Sequence, residues 1–183
     1  MALDDISRLT KKVKSDERYK RIRKLYKTNP LFQLTVDEYR TECQQMFRMR
    51  KIRTLNIDHP NALNKLANSV IEDQAYRSRM TEIYVQTNSA IKALADMLER
   101  FQDYATVTYS RDLKALGAAK ERERMVRNIM AEYYRYSDNL TLLKEEIDFY
   151  LKDIDKAGFA FKSLTEILAL IERREYGLPN QRK

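Results

Sequence analysis

Residues 126–154 read VRNIMAEYYRYSDNLTLLKEEIDFYLKDI, with apolar side chains at Val126, Ile129, Tyr133, Tyr136, Leu140, Leu143, Ile147, Tyr150 and Ile154, alternately 3 and 4 residues apart. This is the period of a helix that shows one face to a neighbour, and sustained at about 3.5 residues it predicts left-handed supercoiling. Such a face is not left in water. The chain is expected to cover it by folding the preceding helix back as a hairpin and by associating with further copies of itself.

Upstream, Met80, Tyr84, Thr87, Ile91, Leu94, Leu98 and Phe101 form a second seam of the same spacing. Continued backwards its register meets Leu63, Leu66 and Val70 but also Asp73 and Arg77, so it weakens between residues 71 and 79. Between the two seams, the β-branched and aromatic run 104–109 (YATVTY) reads as a break, with Ser110 as the N-cap of the next helix. Downstream, Lys156 and Gly158 suit a helix C-terminus, and Ser163-Leu-Thr-Glu166 is a capping box for a short last helix through Leu164, Ile167, Leu168 and Ile171. Near the start, Asn29-Pro30 ends a first helical region, and Thr35-Val-Asp-Glu38 starts a helix from Val36 to about Arg53 with Tyr39, Cys43, Met46 and Phe47 inward. Asp58-His-Pro60-Asn61 opens the long third helix.

The fold class expected is all-α: a helical hairpin of long heptad helices, a basic N-terminal helical extension and a short C-terminal helix. The divisions are 1–70 for the basic region, 71–176 for the hairpin and oligomerisation core, and 177–183 for a frayed tail.

Composition excludes several chemistries. Three glycines, none in GxxxxGK[ST] or GxGxxG spacing, supply no phosphate-cradling loop. One His and one Cys cannot build a zinc cluster, and His59 before Pro60 reads as a local polar group rather than a catalyst. Neither catalysis, a resident metal nor a cofactor is expected. Cys43 alone forms no internal disulfide, no apolar run spans a membrane and the N-terminus does not read as a signal peptide, so a soluble cytoplasmic protein with no membrane partner is expected. The acids Glu145, Glu146, Asp148, Asp153 and Asp155 alternate with Lys144, Lys152 and Lys156, as a salt-bridged helix face does.

The net charge of +8 is uneven: residues 1–53 hold 15 basic and 7 acidic side chains, and the other 130 balance at 20 of each. A localised excess of this size points to a polyanion, most often nucleic acid. In RYKRIRKLYK (18–27), Tyr19, Ile22 and Tyr26 fall on one stripe while Lys20, Arg21, Arg23, Lys24 and Lys27 surround it as candidate phosphate contacts. Arg48, Arg50, Lys51 and Arg53 form a second basic cluster. Tyr104 and Tyr109, beside Arg100, Arg111 and Lys114, interleave aromatic and basic groups as a single-strand binder does.

The C-terminal half also carries an ordered set of features: a helix with a basic end running into Asp103-Tyr104, a polar connection, the heptad helix, then Lys156-Ala-Gly-Phe-Ala-Phe-Lys162 before a last helix. Over about residues 75–173 this resembles the recombination mediators of T-even-type phages, the UvsY proteins, which have a similar Gly-Phe-Ala-x-Lys turn. The resemblance implies a non-enzymatic oligomer, a ring, in the cytoplasm of an infected bacterial host. It would bind single-stranded DNA and help load a RecA-like recombinase onto strands coated by single-strand DNA-binding protein. DNA contacts would fall on Lys92, Arg100, Arg111 and Lys114, and ring contacts between Val126 and Ile171, with Phe159, Leu164 and Leu168 among them. The chain departs from the family in its longer basic arm and in Glu99, where another cation is expected. An alternative is a structural or DNA-packaging protein of a virion, a helical ring touching duplex DNA. A helix-turn-helix regulator around Asn56–Asn61 ranks last, since that turn lacks glycine.

Overall fold

A computed structural model describes residues 2–51 and 62–175, and among them there are helices but no strand. The order is α1 (Ala2–Ser15), α2 (Glu17–Thr28), a 3-10 turn (Pro30–Phe32), α3 (Val36–Met49), α4 (Ala62–Thr108), α5 (Ser110–Leu116), α6 (Ala119–Ile129) and α7 (Ala131–Glu175). The long helices α4 and α7 pack antiparallel as a hairpin, joined by hydrogen bonds from Tyr134 to Gln102 (3.3 Å) and from Lys144 to Asn88 (2.9 Å). The all-α hairpin is therefore as expected. Arg53 and the expected helix start at Asp58 to Asn61 lie outside the described residues.

Two compact units share these helices. The first comprises residues 1–37 and 85–144, the second 38–84 and 145–183, so both are discontinuous and cut across the expected boundary at residue 70.

In the first unit the Tyr19, Ile22 and Tyr26 stripe of α2 turns inward, as its spacing demands. Tyr19 meets Phe101 edge-on at 6.0 Å, and Tyr26 sits between Phe32, Tyr133 and Tyr136 with centroids 4.8–6.0 Å away. Leu9 and Val13 of α1, Leu94, Leu98 and Ala105 of α4, Leu113 of α5 and Val126 and Ile129 of α6 complete this core. Two caps set its turns. Asp16 accepts the Arg18 N–H at 2.7 Å to start α2, and Asn29 accepts that of Leu31 at 3.0 Å where proline ends it.

In the second unit Cys43, Leu66, Met80, Ile83, Ile147 and Ile154 are buried. The weak part of the α4 seam is where ion pairs replace apolar packing. Arg50, with no side-chain exposure, grips Asp73 through Nε (3.0 Å) and Nη2 (2.7 Å) and Asp153 through Nη1 (2.6 Å), while Arg77 holds Asp155 at 2.6 Å. Glu146 accepts from Arg40 (3.2 Å), Gln44 (2.8 Å) and the Tyr150 hydroxyl (2.6 Å).

Several local expectations are corrected. α3 stops at Met49, short of Arg53. α4 continues through the β-branched run to Thr108, because Ala105 is buried in the core and packing outweighs a few tenths of a kcal/mol of propensity per residue. The chain leaves the helix only at Tyr109 (φ −102°, ψ 21°), and Ser110 begins α5 instead of capping it. Met130 (φ −97°, ψ 15°) interrupts the seam between α6 and α7. No helix end occurs at Gly158 and no new helix starts at Ser163: α7 passes through both, since good helix formers on either side outweigh the roughly 1 kcal/mol cost of one glycine.

Candidate nucleic-acid interface

α2 builds the site from its own periodicity. With one stripe buried, Lys20, Arg23, Lys24 and Lys27 recur at helical spacing along an outer face, where they line a shallow depression with Thr28. Lys20 reaches Glu17 at 2.7 Å. Arg21, Arg23, Lys24 and Lys27 are exposed and make no ion pair among the described residues. Six cations on one twelve-residue helix repel one another, and in this fold only Glu17 offsets them within the helix.

The charge asymmetry persists between the compact units. The first unit holds 20 basic and 13 acidic side chains, a net of +7, and the second 15 and 14, a net of +1. Cations of the second unit are moreover paired. Arg40, Arg50, Lys51 and Arg79 are each tied to a carboxylate of their own unit (Glu146, Asp73 with Asp153, Glu72 and Glu42 respectively).

The expected contacts therefore divide. Lys20, Arg21, Arg23, Lys24, Lys27, Lys92, Arg100, Arg111 and Lys114 all belong to the first unit and all stand on its surface. Arg100 bonds Asp96 through Nε at 3.0 Å. Arg48 is exposed in the second unit, Lys51 reaches Glu72 at 2.9 Å, and Arg53 lies outside the described residues. Arg50 is corrected: a guanidinium fully buried on two carboxylates is structural and offers nothing to phosphate.

The aromatic reading is corrected as well. Tyr109 is buried and its hydroxyl donates to Asp16 at 2.6 Å; Tyr104 donates to the same carboxylate oxygen at 2.9 Å and carries the Arg18 guanidinium over its ring at 4.0 Å. The Tyr109 ring is closed to a base, and the half-buried Tyr104 ring already carries a cation. Burial pushes the Asp16 carboxyl up, but the Tyr109 hydroxyl, the Arg18 amide and the Tyr104 hydroxyl outweigh it and hold Asp16 below the ordinary aspartate range. Burial, followed by the bond to Asp16, pushes the Tyr109 hydroxyl up.

Sequence reasoning missed a further cationic stripe, Lys120, Arg124 and Arg127 on α6, with Arg127 lying over the Tyr134 ring at 4.7 Å. Glu121 and Glu123 cancel it in a linear count, and only its helical spacing separates it from them.

The seam side chains also have a settled place. Val126, Ile129, Tyr133, Leu140, Leu143, Ile147 and Ile154 are buried by the chain itself, and Tyr136 and Tyr150 are half-buried, so as contacts between copies they are corrected to core. Beyond them α7 exposes Phe159 (78 %), Ile167 (52 %), Leu170 (57 %) and Ile171 (45 %), with Leu164 half-buried; the Leu168 side chain lies outside the described ones. No described helix is long and apolar enough to cross a membrane. Searches of protein-family models, curated proteins and solved structures give no match to this chain.

Proposed function

We propose that this protein is a single-stranded DNA-binding recombination mediator, a homo-oligomer that helps load a RecA-like recombinase onto DNA coated by single-strand DNA-binding protein. The observation that supports it best is the concentration of charge in one unit, headed by the cationic face of α2. A face of this sort trades condensed counterions for phosphates, which drives binding without reading sequence. The single-strand preference and the mediator role rest on the resemblance of residues 75–173 to the UvsY proteins. Oligomerisation is supported by the apolar end of α7, whose Phe159, Ile167, Leu170 and Ile171 stand in solvent in the single chain.

A second reading is favoured by the engaged Tyr104 and Tyr109. With those hydroxyls engaged and Tyr109 buried, a backbone-only contact also suits duplex DNA, as in a virion assembly protein.

Fluorescence anisotropy with mixed-sequence single-stranded and duplex oligonucleotides, titrated with salt, separates the readings. Preference for single strands is expected, and engaging Lys20, Arg23, Lys24 and Lys27 gives a logarithmic salt slope of about −3, at roughly 0.7 per phosphate. Reversing those four charges should flatten the slope by that amount. Duplex preference would favour the assembly protein, and unaltered affinity would remove α2 as the contact.

A further inference from the structure

The flank of α2 turned away from the lysine face has a different chemistry. There Arg18, Arg21 and Leu25 succeed one another at helical spacing toward α4, and the two helices enclose an open groove of about 550 Å³. This is within the roughly 300–1,000 Å³ of pockets that hold ligands. Its floor includes Ile22, Leu25, Ala93 and Met97, and its rim carries Arg18, Arg21 and Arg100 against a single carboxylate, Asp96. Asp96 takes only Nε of Arg100, whose side chain is 78 % exposed, so both Nη groups remain without a hydrogen bond among the described residues. Leu25 is 46 % exposed on a helix otherwise covered in cations.

An apolar trough edged by guanidinium forks matches a ligand with the opposite design. Guanidinium pairs bidentately with carboxylates, and an aliphatic floor rewards a large apolar side chain. A nucleic-acid base fits less well. Phe32 and Phe101 are each 3 % exposed and the half-buried Tyr104 already carries Arg18, whereas base binding relies on stacking against an open aromatic face.

We infer that this groove docks an acidic peptide segment of another protein. Its leucine or phenylalanine seats against Leu25, Ala93 and Met97, and its carboxylates meet Arg18, Arg21 and Arg100. The groove and the lysine face are separate flanks of one helix, so this docking does not rest on the DNA-binding reading, and the two ligands are distinguishable by mutation.

The test uses the full chain and a fluorescein-labelled peptide, Asp-Glu-Leu-Asp-Asp-Leu-Phe-Glu-Asp. Two control peptides replace either the Leu and Phe residues with Ser or the acids with their amides. Saturable binding of the parent peptide is expected, with each control weaker by about tenfold, since both anchors and charges contribute. L25Q, which makes the floor polar, and A93F, which fills it, should each weaken the peptide about fivefold or more while oligonucleotide affinity and melting temperature stay at the wild-type value. Absence of peptide binding, or equal binding of the Ser control, overturns the proposal. So does a parallel fall in oligonucleotide affinity in L25Q, which would give the groove to nucleic acid instead.

Discussion

Asp16 is one residue with three donors: the Arg18 amide at 2.7 Å and the hydroxyls of Tyr104 at 2.9 Å and Tyr109 at 2.6 Å. It starts α2 and ties that start to α4 and to Tyr109 just past the end of α4, so Asp16→Ala is expected to cost about 1–3 kcal/mol in urea unfolding at pH 7. The pH dependence has a definite sign. A carboxyl held below its unfolded value stabilises the fold above about pH 4 and loses that contribution as pH falls through the folded value. The difference between wild type and Asp16→Ala should therefore shrink on acidification, and a constant difference down to about pH 2.5 would show that the bonds to the charged form contribute nothing. The acid at the head of the basic helix was readable in sequence, but not the tyrosines 88 and 93 residues away that close on it. Arg50 teaches the same lesson. Its neighbours made it one of a basic cluster, and its partners, 23 and 103 residues distant, made it a buried tie.

At the scale of elements, two glycines play opposite parts. Gly117, between α5 and α6, has φ +148°, and a Cβ there would collide with Glu121 Oε2, the oxygen that accepts the Ala118 N–H at 2.9 Å. Gly158 lies inside α7 with nothing within 4 Å of the Cβ it lacks. Gly158→Ala is thus expected to raise stability by about 0.5–1 kcal/mol and Gly117→Ala to lower it by about 1–3 kcal/mol, both by thermal or urea unfolding. A loss at Gly158 would restore the helix end that Lys156 and Gly158 suggest in sequence. Periodicity made the long helices legible, because burial of one stripe is what creates it. Their interruptions were not, since a capping box at Ser163 acts only where the backbone has already turned, and Met130 carries no turn residue's signature. The inward face of α4 was displaced by single positions, with Ile83 and Ala90 buried where Tyr84 and Ile91 were expected. A short side chain gives a weak periodic signal yet suits close helix packing.

For the whole molecule, the net +7 lies in the first unit and the bare apolar end of α7 in the second. Replacing Phe159, Ile167 and Leu170 together by Ser should reduce the mass in sedimentation to that of a monomer near 21.8 kDa, with helical circular dichroism retained. An unaltered assembly mass would exclude this surface as the contact. The uneven charge was visible in the linear count, but its division between the units was not, because each unit joins segments far apart in sequence. One accident of composition makes the second unit easy to watch. Cys43 is the sole sulfhydryl, lies at zero exposure there, and burial pushes its pKa up to about 12. Iodoacetamide labelling of the native chain is consequently a stopwatch for the opening of that unit, and its rate with and without an oligonucleotide bound elsewhere on the chain tells whether the tension of one half is felt by the other.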